Sequence, residues 1–202
     1  MLSRGTGNSR GSVGMAPEDT YQDLLALPPH MVGQLIEGRL IAHPRPASDH
    51  SAATYALGGQ LFDPFQRGRR GPGGWWFFNE PELHFDKDVL VPDLAGWRHS
   101  RMPVRAREPY FTSAPDWICE VLSPSTARLD RTFKKDIYAR EGVEYVWIVD
   151  PVLRTLEVLH LVDGRWRERG TWSGSAHVRA EPFDAILMEL DALWFSEMPP
   201  PR

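Results

Sequence analysis

Two strongly apolar runs, Trp117-Ile118-Cys119-Glu120-Val121 and Tyr145-Val146-Trp147-Ile148-Val149, stand on either side of a segment with helical spacing, residues 127–141. No other feature constrains the fold as much. Runs that are apolar at nearly every position read as strands covered on both faces. A strand, a helix of about four turns and a second apolar strand predict a parallel crossover in the centre of a sheet, hence an α/β protein. Ser123-Pro124-Ser125-Thr126 supplies the turn and helix cap, and Gly142 closes the helix. Within it Leu129, Phe133 and Ile137 are expected to form the buried stripe. Asp130, Lys134 and Tyr138 form a second line at the margin of the core.

The first run carries one residue that does not belong in an apolar strand. An unpaired carboxylate costs several kcal/mol to bury, so Glu120 must face a cleft, pair with a cation or take up a proton. Asp93, in Val91-Pro92-Asp93-Leu94-Ala95-Gly96-Trp97, is a second acid among apolar neighbours. If the two strands are adjacent, these carboxylates suit Mg2+, which takes oxygen ligands and keeps several waters. A lysine nearby, Lys134, could then stabilise charge on a phosphate or orient an attacking water. Plainer readings stand beside this one. Glu120 could pair with an arginine or lysine, and Asp93 could be a turn residue after Pro92. Lys134 could snorkel from the helix edge towards Asp130 or Tyr138. His50 could be a helix-start residue, and Tyr138 a core residue with its hydroxyl satisfied.

Elsewhere the pattern is of short elements. From Asp19 a short helix is expected, capped by Asp19 or Thr20 and stopped by Pro28-Pro29. Residues 34–37 and 40–43 read as strands around a tight turn at Glu37-Gly38. Ala53, Leu57, Leu61 and Phe65 recur at four-residue steps, the stripe of an amphipathic helix over residues 50–65. Trp75-Trp76-Phe77-Phe78 opens a strand, and a single strand is expected from Val89 through Trp97. Residues 98–114, with Arg98, Arg101, Arg105 and Arg107, read as a long basic exposed loop. A hairpin around Asp163-Gly164 follows the second apolar run, and a short helix is expected within residues 183–195.

With 202 residues, 42% of them hydrophobic, the chain suits one domain over residues 18–196. It is flanked by a disordered tail, 1–17, and a Pro-rich tail, 197–202. The net charge of -4 argues against coating nucleic acid through a basic surface, though not against a local basic groove. The single cysteine, Cys119, rules out a disulfide framework and a cysteine-based zinc site, which fits a reducing cytoplasm. No stretch approaches the roughly 18 apolar residues of a membrane span, so no membrane partner is expected.

Taken in order, Val91-Pro92-Asp93-Leu94, then Pro115 through Thr126, then Asp130, Lys134 and Tyr138, then Gly142-Val143 leading to Trp147-Ile148-Val149-Asp150-Pro151, resemble a bacterial restriction endonuclease-like family of the PD-(D/E)XK nuclease superfamily. The resemblance spans nearly the whole domain. It implies a mixed sheet flanked by helices, with Asp93 and Glu120 binding Mg2+ (or Mn2+), helped by the main-chain carbonyl of Val121. Lysine two residues after the glutamate is the superfamily pattern. Leu122 stands there instead, and the resemblance implies that Lys134 takes the lysine's part. At Gln34 the family has glutamate, whereas Glu37 and His50 match its pattern; with Tyr138 these complete the implied pocket. The function implied is Mg2+-dependent hydrolysis of DNA phosphodiesters; cutting two strands favours two active sites and so a homodimer, in the cytoplasm that the cysteine usage fits. The alternatives are a nuclease-fold protein that binds nucleic acid or a protein partner with little or no cutting, or hydrolysis of another phosphate ester.

Overall fold

In the computed structural model, which describes residues 17–45, 47–102 and 109–194, the two apolar runs lie side by side as parallel strands. The chain enters through α1 (Tyr21–Leu25), whose first turn is closed by a capping box between Thr20 and Asp23. β1 (Met31–Ile36) and β2 (Arg39–Pro44) form a hairpin. Its turn residues Glu37 and Gly38 both take positive φ, 50° and 70°, as a two-residue turn of the primed type requires. α2 (Ser48–Leu61) continues into a π-helical turn, Phe62–Gln66. Then come β3 (Trp75–Asn79), β4 (Glu82–Phe85), β5 (Asp88–Leu90), β6 (Leu94–Arg98), β7 (Tyr110–Phe111) and β8 (Trp117–Val121). The crossover is α3 (Ala127–Leu129), a π-helical stretch Asp130–Lys134, and α4 (Lys135–Arg140). β9 (Tyr145–Asp150), the hairpin β10 (Thr155–Val162) with β11 (Arg165–Ser173), and the short pair β12 (His177–Val178) and β13 (Met188–Glu189) lead to a final 3-10 turn, Leu190–Leu193.

The fold is mixed α/β, but it holds two large sheets rather than one. Six strands run in the order β11-β10-β9-β8-β6-β3 and five in the order β2-β1-β5-β4-β7. Among the described residues only β8 with β9 and β4 with β7 pair parallel. Side chains alternate along β8 into two cores. Trp117, Cys119 and Val121 join Ala53, Leu57, Leu61 and Phe65 of the α2 segment, together with Phe183. Ile118 and Leu122 join Ile137 and Tyr138 of α4 and Leu83 and Leu90 of the smaller sheet. Burial on both faces is why the central strands are apolar throughout. It also puts Glu120, between Ile118 and Leu122, on the face beneath the crossover helix.

Several expectations need correction. The stretch from Val89 to Trp97 is two strands in different sheets: β5 ends at Leu90, β6 begins at Leu94, and Val91-Pro92-Asp93 passes between them. Pro92 has no N–H to continue a ladder, which suits a crossing point. In the crossover helix Phe133 is exposed, and the buried line is Asp130, Lys134 and Tyr138 with Ile137. The π-helical stretch widens the turn by one residue, so that positions four apart stay closer to one line than in an α-helix. Lys134 is therefore buried, not marginal. Within the expected basic loop, Arg98 pairs with Asp116 at 2.7 Å and Glu144 at 2.5 Å, and Arg101 reaches Asp116 at 3.2 Å. These two arginines neutralise a buried acid rather than standing free. Arg105, Arg107, residues 1–16 and residues 195–202 lie outside the described residues. The expected C-terminal helix is the short turn Leu190–Leu193, preceded by β13.

Candidate active site

β6 and β8 run antiparallel with Leu94 opposite Cys119, so one step further the register sets Asp93 beside Glu120. On the other side of β6, Asn79 pairs with Leu94, which brings Glu80 alongside Asp93; the Glu80 N–H donates to the Asp93 carbonyl at 3.0 Å. Glu80, Asp93 and Glu120 thus stand in a row across the ends of three neighbouring strands. With Lys134 and Asp130 from the crossover helix, His50 from α2, and Val32, Gln34, His43 and Val91 from the smaller sheet, they line a polar cavity of about 30 Å³.

Each side chain is held by identifiable partners. Asp93 Oδ2 accepts the Val121 N–H at 2.7 Å, and its Oδ1 lies 3.0 Å from His50 Nε2. The structure thus gives Val121 a role through its amide, in fixing Asp93. Glu120 Oε1 receives Lys134 Nζ at 2.7 Å and the Tyr138 hydroxyl at 2.5 Å. Lys134 Nζ also lies 3.1 Å from Asp130 Oδ1 and 3.5 Å from the Val91 carbonyl. Lys134 and Tyr138 sit four residues apart on the buried line of the helix, which is how both meet one oxygen. Gln34 is buried, and its Oε1 accepts the Val91 N–H at 3.0 Å, tying the smaller sheet to the crossing segment.

A family model described as "Uma2: Putative restriction endonuclease" matches residues 19–189. The chain belongs to the Uma2 family. It is also similar in fold to a solved structure, described as a putative nuclease belonging to DUF820 from Anabaena variabilis ATCC 29413. The two share 24% identity with a TM-score of 0.69, over 87% of this chain and 97% of that one. No curated protein matches the chain.

Asp93, Glu120, Lys134, His50, Gln34 and Tyr138 all come together in this Uma2 site. Glu37 does not: it stands exposed at the tip of the β1–β2 hairpin, where its N–H donates to Asp88 Oδ1 at 2.5 Å. Sequence spacing cannot say which end of a hairpin faces a cavity. Glu80 was missed, and Asp130, read as a possible partner of Lys134, was not placed among the site residues. Glu80 follows an apolar strand just as Asp93 precedes one, and Asp130 lies one turn before Lys134; those were the available signals.

The charge balance is uneven. Glu120 and Asp130 share Lys134, while Asp93 faces His50 and Glu80 has no ion pair among the described residues. Burial raises the Glu120 carboxyl to about 8; Lys134 opposes that shift, and the neighbouring Asp130 and Asp93 reinforce it. Burial alone would lower the Lys134 ammonium, but Glu120, Asp130 and Asp93 together overcome this and raise it. Desolvation also works against charge on His50, and Asp93, Asp130 and Glu80 outweigh it, raising the imidazole. Tyr138 is pushed well up by burial and by Glu120. Among the described residues no three His, Cys, Asp or Glu side chains already surround one point as a cation cage. Mg2+ needs only two carboxylates and completes its shell with water, and a surplus of buried carboxylates around a small polar cavity fits such an ion. Asp93 and Glu120 are the donors that could hold it.

Proposed function

We propose that this chain is a Mg2+-dependent endonuclease that hydrolyses phosphodiester bonds in DNA. The supporting observation is the contact between Lys134 Nζ and Glu120 Oε1 at 2.7 Å, beside Asp93, in one small polar cavity. Membership of a family described as "Putative restriction endonuclease" points the same way. When bound, the cation would polarise the phosphoryl oxygen and offset developing charge; Mn2+ would substitute. Asp93 is presented by His50 and the Val121 amide, and Glu120 by Tyr138, so both carboxylates are oriented in advance. Lys134 keeps its proton and serves as a fixed positive charge for the scissile phosphate, reaching from the helix the space that Leu122 leaves unserved. A homodimer in the cytoplasm belongs to the same proposal. Cleavage of DNA by wild type and by Glu120→Ala in Mg2+ or Mn2+ tests it. Equal activity in the two overturns it.

A second reading is favoured by Gln34, whose side-chain oxygen is committed to the Val91 N–H where a further acid would strengthen the site. In that reading the fold binds nucleic acid or a protein partner without cutting. Calorimetric titration with Mn2+ separates the two, since a binding module has no use for a cation at Asp93 and Glu120.

A further inference from the structure

A second concavity, a groove of about 730 Å³, begins where the polar cavity ends, and His50 and Glu80 line both. It runs between α2 and β3, the edge strand of the larger sheet. Its size lies within the range of small-molecule sites. Its walls carry tyrosine and phenylalanine side chains, which the described lining of the cavity lacks. Tyr55 is 85% exposed and Phe62 43% exposed on the helical wall. Between them lie Gly58 and Gly59, and a Cβ added at Gly59 would meet nothing within 4 Å. The opposite wall carries Phe77 and Phe78. Among the described residues lining the groove none is lysine or arginine, and the charged ones are His50, Asp63 and Glu80.

Away from the cavity and the cation it would hold, Asp63 and Glu80 with no lysine or arginine among the described lining residues give a phosphate backbone no partner along this groove. Exposed aromatic rings beside a smooth glycine surface suit the flat face of a base, and stacking of this kind accepts any base. A peptide strand adding to the β3 edge is disfavoured, because the Phe77 N–H already donates to Gln66 Oε1 at 2.9 Å. We infer that the groove holds an unpaired nucleobase next to the phosphate bound in the cavity, so that the substrate is single-stranded or locally unpaired DNA. This rests on the nuclease reading for the phosphate, but the base site can be tested without cleavage.

The test uses the full chain, with Ca2+ in place of Mg2+, and an oligodeoxynucleotide containing 2-aminopurine, offered as single strand and as duplex. The single strand is expected to bind on the order of tenfold more tightly than the duplex, with its fluorescence quenched by stacking. Tyr55→Ala and Gly59→Glu, both at exposed positions, are expected to remove that preference and the quenching, with loss of affinity on the order of tenfold or more. Equal binding of both forms, or unchanged quenching in both variants, overturns the inference. So does light scattering that shows wild type as a dimer and Gly59→Glu as a monomer, since a second copy of the chain would then cover the groove. The two readings fail separately. Stacking without any cleavage supports the base site and removes the nuclease. Duplex cleavage indifferent to Tyr55→Ala keeps the nuclease and removes the base site.

Discussion

Lys134 meets Glu120 from across a helix–strand interface, Nζ to Oε1 at 2.7 Å, with both side chains only 2% exposed. The pair is not self-sufficient: Asp130 shares the lysine and Tyr138 shares the glutamate oxygen. A buried lysine with more than one acidic partner holds its charge, while a glutamate with a divided partner gives up part of its stabilisation. Added positive charge would therefore stabilise the ionised form of Glu120.

Lys134→Met takes the cation from both Glu120 and Asp130 and leaves Glu120 only the Tyr138 hydroxyl. A loss of about 3–5 kcal/mol in unfolding free energy is expected, the usual cost of breaking one side of a buried ion pair. Adding Glu120→Gln to Lys134→Met should recover part of that loss, which a double-mutant cycle by urea denaturation reads directly. Strict additivity of the two single changes would show that the contact carries no coupling.

The raised Glu120 pKa sets a pH dependence. A group whose folded pKa exceeds its unfolded one contributes stability that is complete below the unfolded value and is lost as pH rises through the folded one. For Glu120 that window runs from the ordinary carboxylate value of 4.5 to about 8. The metal-free protein should lose stability between pH 5 and 8 through this residue, and Glu120→Gln should flatten the slope. Divalent-ion affinity should move oppositely, rising with pH towards about 8, because binding needs the ionised carboxylate. Calorimetry with Mn2+ near pH 7 should register proton release that depends on the buffer's ionisation enthalpy.

His50 touches Asp93 Oδ1 at 3.0 Å, which makes it a positioning residue for that carboxylate. His50→Ala is expected to weaken Mn2+ binding roughly 10–100-fold, the usual effect of removing a partner behind a metal ligand. Cleavage should be restored by raising the metal concentration. Activity that stays abolished at saturating Mn2+ would instead assign His50 to proton transfer.

Asp88 joins the smaller sheet to the crossover helix. Fully buried, it accepts the Glu37 N–H at 2.5 Å on Oδ1 and Arg140 Nη2 at 2.6 Å on Oδ2. Asp88→Ala removes the acceptor for both, and a cost of about 2–3 kcal/mol is expected from hydrogen bonds to a charged group. Guanidinium denaturation of Asp88→Ala beside Arg140→Ala should show at least as large a loss for the arginine, because its removal leaves the fully buried Asp88 carboxylate without a cation.

The parts legible in the sequence were those where one period dominates. Ala53, Leu57, Leu61 and Phe65 repeat every four residues and all four are buried in one core. Trp117–Val121 and Tyr145–Asp150 are apolar because both faces are covered. Legibility failed where local pattern and tertiary use diverge. Val89 to Trp97 looks like one strand because its apolar run hides a crossing between sheets at Pro92. Phe133 looks buried because an α-helical period was assumed where a π-helical turn shifts the face by one. Glu80 stayed invisible because its place beside Asp93 depends on a strand register, which no local spacing encodes.

Gln34 offers the sharpest test of how far the site is complete. It is 2% exposed on the cavity wall, and its Oε1 accepts the Val91 N–H at 3.0 Å, a bond that a carboxylate could keep. Gln34→Glu would add a fifth acid to a cavity already lined by Glu80, Asp93, Glu120 and Asp130. Without metal the added charge has no partner, so a loss of about 1–3 kcal/mol is expected together with partial protonation of the new side chain. With Mn2+ the sign reverses: the extra oxygen donor should raise affinity and the melting temperature should climb more steeply with metal than in wild type. A variant destabilised equally with and without metal would mean that Gln34 does not face the ion, and that its amide serves only to hold the Val91 crossing in place.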